Sequence, residues 1–172
     1  MPVDSQQVQI LPFIPPTIKE RGNDKIYSRT VRPKELRKDL DKQVVEQCIK
    51  DLLKFDRVVT YYGTGFDLPF VRTRAAVHGL DFPEFGQINH TDLYYIVRNK
   101  FQLSSNRLEN ACRVVLGETQ KTRINSNIWL YALQGDKKSL EYIKEHCDYD
   151  VIDLEKLFEK VMPFRKISDL SI

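Results

Sequence analysis

The stretch Arg57-Val-Val-Thr-Tyr-Tyr62-Gly-Thr-Gly-Phe-Asp67-Leu-Pro-Phe70 decides the fold. Residues 57–62 are almost all β-branched or aromatic, the composition of a buried strand. Gly63-Thr64-Gly65 then forms a tight turn. A helix is expected from Phe66 to His78, with Pro69 tolerated in its first turn and Gly79 placed to end it. A strand feeding a helix through a tight turn opens an α/β unit, and ligands gather at the carboxyl end of such strands. Asp67 stands there, either as a helix cap or as a functional acid.

Ahead of this stretch, Val44, Val45, Cys48, Ile49, Leu52 and Leu53 recur at helical spacing from about Asp39 to Lys54. Earlier still, Lys25 to Val31 alternates as a hairpin strand after the turn signal Gly22-Asn23-Asp24. Four of the eight prolines fall in the first sixteen residues, so residues 1–17 read as an irregular lead-in. After the stretch, Gln87 to Thr91 reads as a short strand and Leu93 to Asn99 as a helical turn or two. Asn106 and Glu109 have capping-box spacing before the apolar positions Leu108, Ala111, Cys112, Val115 and Leu116. Ile128 to Leu133 is read as helical, and Asp136 caps a last, long helix running to about Val161. Helix, strand, helix and then mostly helices after a hairpin describe an α/β domain in which a later strand runs parallel to an earlier one.

The 172 residues suffice for one domain, taken as 18–164 with a tail from 165 to 172. An apolar fraction of 41% excludes a disordered chain, and no apolar run approaches the roughly 18 residues of a membrane span. No export signal opens the chain, so the expected compartment is the cytoplasm. Cys48, Cys112 and Cys147 lack CxxC spacing and read as small buried thiols. The net charge of +3 is mild but unevenly placed. Ile18 to Lys38 carries eight basic residues against three acidic, and Arg98 to Arg123 six against two. Such clusters either hold phosphates or are ordinary solvated faces.

The last helix holds the sharpest anomaly. Leu140, Ile143, Cys147, Val151, Leu154, Leu157, Phe158 and Val161 form one stripe, and Asp150 falls inside it. A carboxylate there is costly unless it is hydrogen-bonded, paired or bound to a metal. His146 lies one turn earlier. A zinc site from His90, Cys112, His146 and Cys147 has no finger-like spacing. The Gly63-Thr64-Gly65 turn lacks the Lys-Ser/Thr ending of a phosphate loop, and no nucleophile elbow occurs.

Four segments in order, Tyr62-Gly-Thr-Gly-Phe-Asp67-Leu-Pro-Phe, His90-Thr-Asp92-Leu-Tyr, Asn106-Arg-Leu and His146-Cys-Asp-Tyr-Asp150-Val, resemble the DnaQ-like (DEDD) 3′–5′ exonucleases. The nearest likeness is to their predicted ribonuclease H-like branch, itself similar to family-B polymerase proofreading domains, and it covers roughly Ile18 to Phe164. The resemblance implies an RNase H-like α/β fold, a mixed sheet flanked by helices, with an N-terminal strand region that is incomplete here. It implies Asp67 as the second motif's acid, Asp150 as the third motif's, and His146 as the residue that orients or deprotonates water. Asp67 and Asp150 would be metal ligands, for Mg²⁺ or Mn²⁺. The expected partner is single-stranded DNA or RNA, held by Tyr62, Arg72, Arg98, Lys100, Arg107 and Lys121.

The chain departs from the family at its first motif. Asp-x-Glu occurs nowhere ahead of Asp67, the nearest segment being Asp4-Ser5-Gln6, and the single Asp-x-Glu is Asp153-Leu154-Glu155 in the last helix. Tyr62 stands where the second motif commonly has Asn, and His146 precedes Asp150 with the four-residue spacing of the family's Tyr class. Asp92 is a doubtful further acid. The resulting expectation is a 3′–5′ exonuclease-type domain acting on single-stranded ends with little or no activity as given. The rivals are a non-catalytic nucleic-acid-binding module on the same fold and an unrelated interaction domain.

Overall fold

A computed structural model describes residues 15–120 and 122–165. Asp4 and Lys121 therefore lie outside the described residues. Strand β1 (Thr17–Lys19) pairs antiparallel with β2 (Ile26–Ser28), closing the hairpin announced by Gly22-Asn23-Asp24. A short helix α1 (Pro33–Lys38) leads into α2 (Lys42–Leu52), which buries Val44, Val45, Cys48, Ile49 and Leu52. Strand β3 (Arg57–Thr60) follows, then α3 (Asp67–His78), then β4 (Asn89–Asp92), which pairs parallel with β3 in the register Val58 to His90 and Thr60 to Asp92. This is the strand–helix–strand unit that the opening stretch implies.

Helices α4 (Leu93–Lys100), α5 (Leu108–Leu116), α6 (Ser126–Leu133) and α7 (Lys137–Val161) complete the domain, with a 3₁₀ turn at Met162–Phe164. Alternation along β3 sorts the core into two layers. Val58 packs with Ile18 against a cluster from α2 and α3 that includes Val45, Ile49, Val71 and Ala75. Val59 and Tyr61 pack on the other side, against Leu93, Val97, Ala111, Cys112, Leu157 and Val161. The sheet material is thus flanked by helices on both faces, although among the described residues β1–β2 and β3–β4 are two separate two-stranded sheets.

Some local expectations shift. Strand β3 ends two residues before Tyr62, because Tyr62 takes a left-handed conformation with φ of 65° and so leaves the strand. Asn106 does not cap α5; Arg107 occupies the cap position, and the carbonyl of Asn106 accepts a 2.8 Å hydrogen bond from the Tyr61 hydroxyl. Asp136 does cap α7, accepting the Ser139 N–H at 2.8 Å. The α7 stripe needs a finer reading. Its C-terminal half buries Leu157, Phe158 and Val161, but at mid-helix the same face meets a cavity, leaving Asp150 half-buried. The carboxylate that is truly buried is Asp153, 2% exposed, which accepts the Thr119 hydroxyl at 2.7 Å and the Gln120 N–H at 3.0 Å.

Candidate functional site

A cavity of about 700 Å³ lies between β1 and β3. Thr17 to Lys19 line it from one side and Arg57 to Tyr61 from the other. Helix α7 contributes His146, Asp150 and Leu154, and the β3–α3 connection contributes Phe66 and Asp67. Asp67 at the start of α3 and the neighbouring His146 and Asp150 on α7 therefore line the same cavity. Arg72, Arg98, Lys100 and Arg107 do not line it; all four lie on the exposed surface.

Asp67 is positioned by the turn that precedes it. A Cβ on Gly63 would come within 2.4 Å of the Thr60 hydroxyl, and one on Gly65 within 2.6 Å of the Tyr62 ring, so a larger residue at either position would have to displace those side chains. Asp92, at the end of β4, ties the turn down. Its Oδ1 accepts the Tyr62 N–H at 2.7 Å and the Tyr94 N–H at 3.2 Å, and its Oδ2 accepts the Thr64 N–H at 2.9 Å. Both oxygens are thereby committed to backbone, and Asp92 acts as a staple and α4 cap.

Asp67 is solvent-accessible as a residue, yet protein crowds its carboxyl. Desolvation pushes its pKa up, its own helix-terminal N–H opposes the rise, and the charges of Asp92 and Asp150 add to it. His146 Nδ1 lies 2.8 Å from the Thr122 hydroxyl, and its Nε2 lies 3.6 Å from Asp150 Oδ2, one turn along α7. The approach to Asp150 follows from the four-residue spacing on α7, whereas the Thr122 contact was not legible from spacing, since Thr122 comes from the loop before α6.

As a metal centre the donor set is thin. Among the described residues no three His, Cys, Asp or Glu side chains come together as a metal site. Asp67 and Asp150 offer two carboxylates to one cavity, which fits a single hydrated dication completed by substrate phosphate but not the pair that four acids would hold. The zinc reading fails on placement: His90 bonds the Thr60 hydroxyl at 2.8 Å on β4, while His146 belongs to α7. Cys48, Cys112 and Cys147 form no disulfide, and burial pushes the Cys48 thiol up to about 12, which keeps it neutral.

The two basic clusters differ. In the first, Lys19, Arg21 and Arg29 pair with Glu155, Glu159 and Glu35 at 2.6–2.7 Å, so the expectation that it holds phosphates is weakened there. In the second, Arg98 and Lys100 end α4 and Arg107 begins α5, all exposed. Two aromatic residues that periodicity did not mark, Phe66 and Trp129, also line the cavity. No helix among the described residues is long and apolar enough to cross a membrane.

Comparison with known proteins agrees with this architecture. Residues 21–162 match the model of the RNase_H superfamily. The chain is also 24% identical over 148 residues to a DNA polymerase of Methanocaldococcus jannaschii, a match covering 71% of this chain and 9% of that protein. The chain thus spans less than a tenth of that relative's length. With a parallel β–α–β unit, flanking helices and acids gathered at the end of β3, and with most of its residues matched, the chain belongs to the RNase_H superfamily.

Proposed function

We propose that this chain is a nuclease-type domain of 3′–5′ exonuclease descent that binds single-stranded nucleic-acid ends and, with its present acids, hydrolyses them slowly or not at all. The observation that carries this is that Asp67, Asp150 and His146 all line one cavity. Asp67 and Asp150 would hold one hydrated Mg²⁺ or Mn²⁺, which would neutralise phosphate charge and position the phosphodiester. His146, whose Nδ1 lies 2.8 Å from the Thr122 hydroxyl and which sits one turn from Asp150, would orient the attacking water. Arg98, Lys100 and Arg107 supply the positive surface along which the strand's phosphates lie.

The relative's name, a DNA polymerase, supports nucleic acid as the partner. Fluorescence anisotropy with labelled single strands at rising salt tests the reading. Three phosphate contacts give a slope of log affinity against log salt of about −2, at roughly 0.7 per contact. Reversing charge at Arg98 and Lys100 together should flatten that slope. Absence of binding at low salt would favour the interaction-domain alternative and overturn the proposal.

A further inference from the structure

Tyr142, His146 and Asp153 lie four and seven residues apart on α7, the spacing of one helical face. The chain ahead of α6 is tied to that face in reverse order. Asp153 Oδ2 accepts the Thr119 hydroxyl at 2.7 Å and the Gln120 N–H at 3.0 Å. The Thr122 hydroxyl lies 2.8 Å from His146 Nδ1, and the Tyr142 hydroxyl donates to the Arg123 carbonyl at 3.2 Å. Thr119, Gln120, Thr122 and Arg123 therefore follow α7 antiparallel, from Asp153 back to Tyr142. The anchor at Asp153 is 2% exposed, where low dielectric strengthens both of its bonds. Asp153 is not part of the cavity lining, and a buried carboxylate is costly to keep. What it holds is the stretch of chain that reaches His146.

We propose that Asp153 and Thr122 are positioning residues that fix the His146 ring with its proton on Nε2, so that His146 meets the cavity as a hydrogen-bond donor and not as a base. The inference deepens the nuclease-type reading above and rests on it for its chemical meaning. A threonine hydroxyl donates or accepts, so Thr122 satisfies Nδ1 in either tautomer while fixing which nitrogen faces Asp150. The choice of tautomer falls to the other nitrogen. Nε2 stands 3.6 Å from Asp150 Oδ2, too far for a hydrogen bond but close enough for the carboxylate charge to favour an N–H there over a lone pair. With the proton on Nε2, Nδ1 accepts from the Thr122 O–H, and the ring keeps no lone pair for a proton from water. A water oriented by such a donor retains both protons. That is a second reason, beside the missing acids, for slow hydrolysis.

The test reads the histidine ring nitrogens by NMR of the isotope-labelled full chain, without metal or nucleic acid, at about pH 8, above the ordinary imidazole range. The other two histidines, His78 and His90, are internal controls. The parent should show a protonated Nε2 and a hydrogen-bonded, unprotonated Nδ1 for His146, assigned by their loss in His146→Gln. Thr122→Val should remove the hydrogen-bond shift at Nδ1, and Thr122→Ser, which keeps the hydroxyl, should restore it. Asp153→Ala should move Nδ1 in the same sense as Thr122→Val and leave His78 and His90 unmoved. Should Asp153→Ala fail to fold, Thr119→Val removes one bond to Asp153 from the loop side and should move Nδ1 likewise. A parent ring protonated on Nδ1 or on both nitrogens would overturn the proposal, as would an Nδ1 signal indifferent to Thr122→Val. Equal movement of all three histidines in Asp153→Ala would show general loosening and overturn it as well. Because no nucleic acid is present, the expected tautomer in a chain that binds no oligonucleotide would remove the nuclease-type reading alone. The wrong tautomer in a chain that does bind would remove this inference alone.

Discussion

Asp67 carries an electrostatic burden that the rest of its turn is built to bear. Desolvation raises its pKa, its helix-terminal N–H resists, and Asp92 and Asp150 raise it further. A carboxyl with a raised folded-state value contributes its full stability below the unfolded value of about 3.9 and loses it as pH climbs through the folded one. At neutral pH the ionised side chain is therefore unfavourable. Asp67→Asn should gain stability relative to the parent chain as pH rises from 3 to 7, by roughly 0.5–1 kcal/mol after allowance for solvent screening at an accessible site. Urea unfolding of both proteins across that range measures it, and a gap that is constant or shrinks with pH contradicts it. The sequence did single out Asp67, because a strand, a glycine turn and a proline-marked helix start are all local. It could not single out the staple made by Asp92, whose bonds to Tyr62 and Thr64 cross between two strands.

Between elements, α2 and α3 are clamped by a buried group that periodicity gave no reason to suspect. Arg74, on α3, donates from Nε to Asp41 Oδ2 at 2.7 Å, with a second guanidinium bond to Oδ1, and His78 Nε2 lies 2.7 Å from Oδ1. Asp41 and Arg74 are 5% and 8% exposed. Burial alone would raise the Asp41 pKa, but the bonds from Arg74 and His78 together with the Arg74 charge hold it below the usual carboxylate range. The sign is opposite to that of Asp67: the stabilisation is present above the unfolded value of about 3.9 and fades as pH falls through the lower folded one. Arg74→Met, which leaves Asp41 buried and short of a partner, should cost about 3 kcal/mol at pH 7. The deficit should narrow below pH 4. Parallel denaturant curves at pH 7 and pH 3 decide it, and an equal deficit at both would mean that packing, not the ion pair, is what Arg74 contributes. Helices α2 and α3 were legible as helices from their apolar spacing and Gly79. Their clamp was not, because its members lie 33 residues apart and one of them reads as an ordinary helical arginine.

At the scale of the whole molecule, the sheet is divided. Among the described residues, strands β1 and β3 each pair on one side only, in separate sheets, and both line the cavity that also receives Asp67, Asp150 and His146. The sequence made the halves readable, since the hairpin and the β–α–β unit are each short-range patterns, but the relation between them is long-range and carries no periodic signal. What it did display was a shortage of acids, with no Asp-x-Glu ahead of Asp67. The two observations meet in the cavity. A strand edge presents unpaired N–H and C=O groups that accept another strand, and two such edges facing one space give an added strand a partner on either side. An acid pair on that strand would meet Asp67 and Asp150, supplying the charge that a second dication requires. Grafting a short apolar strand that bears Asp-x-Glu ahead of Pro15, which itself lines the cavity, should therefore raise hydrolysis of 5′-labelled single strands in millimolar Mn²⁺ well above the parent chain. The products should form a 3′-shortening ladder, and Asp67→Ala in the grafted chain should abolish it. A matched graft with Asn-x-Gln controls for mere strand addition: it should stabilise the fold without raising the rate. Equal rates from the acidic and amide grafts would show that charge was not what the site lacked, and strong laddering by the parent chain, lost in Asp67→Ala, would show that its own acids suffice.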